Sequence, residues 1–254
     1  LRDQRPIDRD VLGRINDMQW HRGPDEAGLY LEPGLGFGHR RLSIIDIAAG
    51  QQPMFNEDGT VAVVFNGEIY NFVDLIPELT ALGHTFKTRS DTETIVHAWE
   101  QWGVDCVHHF RGMFAFALWD RGQQVFFMAR DRLGVKPLHY AVTDEGFLVF
   151  GSELKTLTAW PGFRRDIDDE AVEDYFGYGY VPEPRTIYKS ALKMPPGHRL
   201  LIRRGQPVPA TEEYWDVPFQ PLAPMSLEAA ESEFIERFRE AVKIRMVAEV
   251  PLGA

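Results

Sequence analysis

The sequence has 254 residues, with 38 acidic side chains against 27 Lys and Arg residues and a net charge of −11. Its 44% hydrophobic content is enough to bury a core, and its acidic balance argues against broad nucleic-acid binding, because little would neutralise a row of phosphates. The apolar runs fall far short of the ~20 residues that span a bilayer, no signal peptide is visible, and a single cysteine, Cys106, excludes a disulfide framework.

The first part of the chain predicts one helix followed by buried strands. Asp8 caps a helix whose apolar residues recur at helical spacing, and a Gly-Pro turn follows at 21–25. The apolar segment 35–47 predicts a buried strand with its loop, and 61–65 predicts a strand by its β-branched content.

Two helices are predicted next, each between a capping residue and a glycine. Asn71 caps the first helix, which ends at Gly83. Ser90 or Asp91 caps the second helix, which ends at Gly103.

The second half of the chain changes to short apolar runs separated by turn residues, the pattern of an antiparallel meander. These runs are 113–119, 124–129, 138–143 and 147–151. After them come a helix over 168–178, a short strand over 200–203, a Pro-rich stretch over 207–224 and an amphipathic helix that starts at Ser226. Because helices and strands come in blocks rather than in strict alternation, we predict an α+β fold.

Polar groups beside glycines or at the ends of elements mark the segments where a site could form. His21, Arg22 and Asp25 form either a solvated polar turn or a charged cluster that braces a site. Arg41, which comes just before an apolar run, is either solvated or a guanidinium fork for a substrate carboxylate.

The Asn66-Gly67 pair also has two interpretations. Between apolar runs it is the strongest short-range signal of a hairpin. Alternatively, the Asn66 amide and the Gly67 N–H are two donors that stabilise one oxyanion. Further along, Ser90 is typical of a helix cap, whereas Asp91 either shares that cap or binds a substrate ammonium.

Together, an arginine, a pair of amide donors and carboxylates are what a free α-amino acid with a carboxamide side chain requires. A nucleophile is the part that these residues do not supply. Cys106 lies in a short helical stretch without a capping or basic environment, so we interpret it as a buried core residue and not as a nucleophile.

These segments resemble the N-terminal glutaminase domain of the glutamine-hydrolysing asparagine synthetases. The matching strings are HRGPD (21–25), RLSIID (41–46), FNGEIYN (65–71), SDTE (90–93), GMFAFAL (112–118), RDRLG (130–134), KPL (136–138) and GSELK (151–155), followed by YVP (180–182), PRTIY (184–188) and PPGH (195–198). They run in order across more than half the chain. They are most similar to the asparagine-synthetase-like amidotransferases associated with exosortase and exopolysaccharide systems.

The resemblance implies an N-terminal-nucleophile hydrolase fold, a four-layer αββα sandwich. It also implies that an N-terminal cysteine thiolate attacks the glutamine side chain, with its own α-amino group as the base. Ammonia then passes to an ATP-dependent domain that amidates aspartate through an acyl-adenylate. The protein is accordingly expected to be an asparagine synthase, a carbon–nitrogen ligase with glutamine as amide donor.

Site residues follow from the same resemblance, position by position. Asn66 and Gly67 form the oxyanion hole. Glutamine is bound by Arg41 at its α-carboxylate, by the pocket backbone of Leu42, Ser43, Ile44 and Ile45, by Asn66 and Gly67, and by Glu68 and Asp91 at its α-ammonium.

The resemblance further implies that the chain is a fragment. In the family, the nucleophilic cysteine and an inner strand precede the residue that matches Leu1, and the pyrophosphate loop follows the one that matches Ala254. We assign 1–206 to the glutaminase domain, 207–225 to a linker and 226–254 to the first helix of a truncated α/β ATP-pyrophosphatase-type synthetase domain. No cofactor or metal is expected in the fragment, since ATP and Mg²⁺ belong to the missing domain.

The expected partners are L-glutamine and, in the full-length protein, ATP and aspartate. No nucleic acid or membrane is expected, a homodimer is left open, and the expected location is cytoplasmic. One alternative is an amidotransferase that acts on another carboxylate, such as an exopolysaccharide precursor, because the acceptor site lies outside these residues. A non-catalytic glutamine-binding module is a further alternative. The fragment alone is expected to be inactive in glutamine hydrolysis.

Overall fold

Three antiparallel sheets form the centre of the molecule. The structure is a computed structural model that describes residues 4–219 and 224–253. Its strands are β1 Glu26–Glu32, β2 Leu35–Arg41, β3 Met54–Phe55, β4 Val61–Ile69, β5 Gly112–Asp120, β6 Val125–Arg130, β7 His139–Val142, β8 Leu148–Gly151, β9 Ala191–Lys193, β10 His198–Arg203 and β11 Glu212–Glu213. Its helices are α1 Arg9–Asp17, α2 Phe72–Ala81, α3 Asp91–Trp102, α4 Cys106–His109, α5 Leu154–Thr158, α6 Asp169–Tyr178 and α7 Leu227–Lys243.

The main sheet has six strands in the order β11-β10-β6-β5-β4-β3 and is buried on both faces. Alternate side chains of β4 show this, since Val63 and Phe65 pack with Trp99 of α3 on one face. Val64 packs with Phe37 of β2 on the other face. The smaller sheets, β1-β2 and β8-β7-β9, lie on this second face and are in turn contacted by α1 and α5. The layering confirms the predicted α+β fold and its αββα order.

Helix starts were predictable at two of the three capping residues in the first half. The Asp8 carboxylate accepts hydrogen bonds from the N–H groups of residues 10 and 11, and the Ser90 hydroxyl accepts one from Thr92. The prediction for Asn71 is wrong in its chemistry. Asn71 precedes α2, but its side chain caps nothing and instead accepts from the Arg111 N–H at 2.8 Å.

The hairpin interpretation of Asn66-Gly67 is also wrong, because both residues lie inside β4. This strand pairs with β5 along its whole length, from Val61 opposite Asp120 to Ile69 opposite Gly112. The cross-strand pairing therefore extends beyond the predicted end of the strand.

The predicted single meander is replaced by two hairpins in different sheets. Strands β5 and β6 pair in the main sheet, whereas β7 and β8 pair in the three-stranded sheet. Strand β10 occupies the free side of β6. The chain turns out of the main sheet at Asp131, whose carboxylate accepts from the N–H groups of Phe114 and Lys136, each at 3.0 Å.

The C-terminal part contains a strand that the sequence did not predict. Strand β11 lies inside the predicted linker 207–225 and pairs with β10, so part of that linker belongs to the main sheet. Residues 220–223 of the linker and the two ends discussed above, Leu1 and Ala254, lie outside the described residues. Helix α6 and strand β10 lie where they were predicted.

The amphipathic helix after Ser226 is α7, and its apolar side chains, such as Phe234 and Phe238, are exposed. Its Glu240 pairs with Arg111 at 2.6 Å. Within residues 4–219 and 224–253, no helix combines the length and hydropathy needed to cross a membrane.

Candidate active site

A cavity of about 390 Å³ opens between the main sheet and the two smaller sheets, lined by residues of β2, β4 and β8 among others. In the described part of the chain, β2 pairs only with β1 and β8 only with β7. The cavity is therefore a slot bordered by two strand edges whose backbone groups have no sheet partner. Every predicted site residue except Ser43 lines it.

The predicted oxyanion donors, Asn66 and Gly67, line this cavity. The preceding residue, Phe65, is held through both of its backbone groups. Its carbonyl accepts from Nε2 of His39 at 3.0 Å, and its N–H donates to Oε1 of Gln52 at 2.7 Å. Because a carbonyl only accepts, His39 carries its proton on Nε2. Burial lowers the pKa of His39 to about 4, which keeps the ring neutral.

Sequence reasoning missed these supporting residues. Nδ2 of Asn66 also donates to the hydroxyl of Ser152 at 3.3 Å, which links β4 to the end of β8. His39 lies in the predicted strand segment 35–47 and Ser152 in the string 151–155, but nothing in either segment indicated what they contact.

Arg41, at the end of β2, is buried on the wall of the same cavity. One terminal nitrogen donates to Glu26 at 2.9 Å, and both donate to the carbonyls of residues 45–47 at 2.7 to 3.2 Å. A methyl group at Gly50 would lie 2.2 Å from the guanidinium and 2.9 Å from the Asp46 carbonyl oxygen, so it would displace the Arg41 side chain or the loop. The structure thus uses Arg41 to shape the loop 45–47, and its contact with a substrate carboxylate stays a prediction.

The segment 21–25 braces the loop that follows β2, as one of its two interpretations required. The Asp25 carboxylate accepts from the Ser43 N–H at 2.8 Å. His21 and Arg22 contact the Glu153 carboxylate just after β8, at 2.9 and 3.4 Å. The segment therefore ties the loop after β2 to the opposite side of the slot.

Two carboxylates, those of Glu68 and Asp91, line the same cavity. Asp91 is buried at the start of α3, and its Oδ2 accepts from the Ile69 N–H at 3.0 Å. On β4, Oε1 of Glu68 is buried and has no hydrogen-bond partner. Burial, reinforced by the charge of Asp91, raises the pKa of Glu68 to about 7, and burial raises the pKa of Asp91 to about 6. A bound ammonium would satisfy both groups.

The raised pKa of Glu68 predicts a pH-dependent stability. The folded protein holds this proton more tightly than the unfolded chain, whose reference pKa is 4.5, so the contribution is complete below about pH 4.5 and is lost as the pH rises through about 7. Glu68→Gln removes the titration. We expect the mutant to gain on the order of 1 kcal/mol relative to wild type between these pH values, a figure reduced by solvent screening.

Urea unfolding across this pH range, without glutamine, measures the difference between the two proteins. Glu78→Gln, at an exposed position of α2, makes the same chemical change and should follow wild type. A constant difference between Glu68→Gln and wild type at all pH values would contradict the assignment.

Cys106 lies in α4, is fully buried in the core beside α3, and does not line the cavity. Burial raises the pKa of its thiol, which disfavours the reactive thiolate. The structure therefore supports its exclusion as a nucleophile.

Comparison with known proteins shows what the chain is similar to. A family model described as "Glutamine amidotransferase domain" matches residues 2–215. The chain is 36% identical over 249 residues to asparagine synthetase [glutamine-hydrolyzing] 1 of Bacillus subtilis, covering 96% of this chain and 38% of that protein. It is 33% identical over 276 residues to the putative asparagine synthetase [glutamine-hydrolyzing] 2 of Methanocaldococcus jannaschii, covering 100% of this chain and 52% of that protein. The chain thus spans between about a third and a half of these relatives.

Among solved structures, the allosteric regulatory enzyme of purine biosynthesis superposes with a TM-score of 0.51 at 20% identity. The match covers 73% of this chain and 36% of that chain. At this identity the likeness concerns the fold, and it supports the expected N-terminal-nucleophile hydrolase architecture.

Proposed function

The chain belongs to the glutamine amidotransferase domain family, and from this membership we propose that it binds L-glutamine in the slot and forms the glutaminase site of a larger, asparagine-synthesising enzyme. The observation that carries the proposal is that Glu68 and Asp91 line the same slot, where Asp91 is buried and Oε1 of Glu68 is buried without a hydrogen-bond partner. Arg41 lies on the wall of the same cavity. An α-amino acid carries the complementary charges, an ammonium and a carboxylate.

In the proposed reaction, a cysteine thiolate attacks the side-chain carbonyl carbon of glutamine. The developing oxyanion accepts hydrogen bonds from the Asn66 amide and the Gly67 N–H. The C–N bond then breaks, ammonia leaves with a proton returned by the base, and water hydrolyses the thioester to glutamate. Asn66 is suited to this role because β4 and its hydrogen bond to Ser152 hold it in place before substrate binds.

The thiolate of this mechanism has to come from outside the 254 residues, because Cys106 is fully buried and away from the cavity. We place it on an extended segment lying between β2 and β8. That position suits a strand, since the facing edges of β2 and β8 could pair with its backbone. It would also bring a residue of that strand beside Asn66, which lines the same slot.

The remainder of the activity is proposed from the relatives, whose printed names describe glutamine-hydrolysing asparagine synthetases. Ammonia would pass to an ATP-dependent site that uses Mg²⁺ and amidates aspartate. The proposed location is cytoplasmic.

The test measures glutamate and asparagine formed by the full-length protein from glutamine, ATP and aspartate. Replacement of the N-terminal cysteine by alanine should abolish glutamine-dependent synthesis and leave ammonia-dependent synthesis intact. Residues 1–254 alone should release no ammonia from glutamine. Turnover by residues 1–254, or glutamine hydrolysis by the alanine variant, would refute the proposed mechanism.

A further inference from the structure

A second group of side chains suited to cation binding lies at α3, outside the slot. His97 and Glu100 are three residues apart on this helix and therefore share one face. His84, on the connection between α2 and α3, faces them: its Nδ1 is 3.6 Å from Oε2 of Glu100. Nδ1 of His97 is 2.9 Å from the same oxygen, and all three donor atoms lie within 4.8 Å of one another.

We propose that His84, His97 and Glu100 bind one Zn²⁺ ion, with water completing the coordination. Tetrahedral zinc with bonds of about 2.1 Å to nitrogen and oxygen places its ligands about 3.4 Å apart. The two distances to the Glu100 oxygen, 2.9 and 3.6 Å, lie on either side of that value. The His97 side chain is fully buried, whereas those of His84 and Glu100 are 16% and 24% exposed, so water can reach the outer side.

The imidazole of His84 is oriented as a zinc ligand requires. Its Nε2 lies 3.1 Å from Oε1 of Gln101, an amide oxygen that only accepts. The proton of neutral His84 is therefore on Nε2, which leaves the Nδ1 lone pair directed toward Glu100. Histidine ligands of metals usually donate their other N–H to such an outer acceptor.

His97 and Glu100 have comparable outer partners. Nε2 of His97 is buried, has no hydrogen-bond partner, and lies 3.6 Å from a carboxylate oxygen of Glu93. That carboxylate is itself fixed by the backbone N–H groups of residues 87 and 88, at 2.8 and 2.7 Å. The second oxygen of Glu100 accepts from Nδ2 of Asn56 at 2.7 Å. His84 and Glu100 are thus each held by a hydrogen bond on the far side, whereas His97 faces a fixed carboxylate there.

The metal would be structural, because none of the three ligands lines the slot. It would fasten the connection that carries His84 to α3. The inference is independent of the proposed glutaminase function. The sequence did not predict it, because the ligand from residue 84 is brought to α3 only by the fold.

The experiment titrates ZnCl₂ into tag-free protein that has been stripped with EDTA, by isothermal calorimetry. We expect one equivalent to bind. Gln101→Leu removes an outer partner of a ligand and should weaken Zn²⁺ binding about 10- to 100-fold. His84→Gln and Glu100→Gln remove a ligand itself, so each should weaken Zn²⁺ binding by more than that. His108→Gln, which removes a half-exposed histidine elsewhere, should bind as wild type does.

Two further readouts decide the outcome. Co²⁺ should give the visible absorption of a tetrahedral complex with wild type and not with His84→Gln. Zn²⁺ should raise the melting temperature of wild type and of His108→Gln but not that of His84→Gln. Circular dichroism checks that each variant is folded. The proposal is overturned if wild type takes up no stoichiometric Zn²⁺, or if folded His84→Gln and Glu100→Gln bind it as tightly as wild type.

Discussion

Asp91→Asn in the full-length protein is expected to lower kcat/KM for glutamine hydrolysis by about 100-fold. The change removes a buried negative charge that the proposed site sets against the substrate ammonium. Loss of one partner of a buried charge pair costs about 2–5 kcal/mol, and 100-fold corresponds to about 2.8 kcal/mol. Because the ammonium is bound equally in the ground state and the transition state, the loss should appear mainly in KM.

Asparagine is a suitable replacement because its side-chain oxygen can still accept the hydrogen bond from Ile69 that Asp91 accepts at 3.0 Å. Asp74→Asn, an exposed change in the first turn of α2, is the matched control and should leave glutamine hydrolysis unaffected. Ammonia-dependent synthesis should be the same in all three proteins. A KM for glutamine that Asp91→Asn leaves unchanged would rule out the ammonium-binding role.

Gly67→Ala in β4 is expected to lower the free energy of unfolding strongly. The backbone at Gly67 has φ of +156°, and an added Cβ would lie 2.1 Å from the Met113 carbonyl oxygen of β5. That atom belongs to a paired strand and cannot move away without breaking the ladder. Overpacking together with backbone strain predicts a loss of about 3 kcal/mol or more in the free energy of unfolding, measured in urea.

Gly13→Ala is the matched control for this substitution. A methyl group at Gly13, inside α1, meets no atom within 4 Å, and alanine is the better helix former by about 1 kcal/mol. We therefore expect a small stabilisation there. If Gly67→Ala unfolds at the same urea concentration as wild type, the strands are not as close as the structure shows them.

Short-range chemistry made part of the fold predictable. The caps at Asp8 and Ser90 are contacts between residues two or three positions apart. The sequence predicted Asp8 directly and offered Ser90 as one of two candidates, with Asp91. The Asn66-Gly67 signal is just as local, yet it indicated a hairpin. Pairing with β5, more than forty residues away in sequence, decided the conformation instead.

The sheet assignments and the detail of the site depend on contacts of still longer range. Strands β6 and β7 follow one another in the chain but lie in different sheets. The edge of β6 that β7 could have used is paired with β10 instead. The family resemblance placed Arg41, Glu68 and Asp91 in one site, and the structure brings all three to one cavity. Residue type could not show that loop carbonyls would hold the Arg41 guanidinium, because that depends on the path of the loop 45–47.

Glu249, near the C-terminal end of the chain, also forms hydrogen bonds with this part of the chain. The Glu249 N–H donates to the Ile44 carbonyl at 2.9 Å, and its carboxylate accepts from the Ile47 N–H at 3.1 Å. These two hydrogen bonds hold the segment whose carbonyls accept from Arg41. A displacement of Glu249 would therefore change the position of those carbonyls and of the Arg41 guanidinium. The coupling free energy between the two positions is the same in both directions. If the Glu249 contacts favour ligand binding at Arg41, ligand bound at Arg41 stabilises the Glu249 contacts by the same free energy.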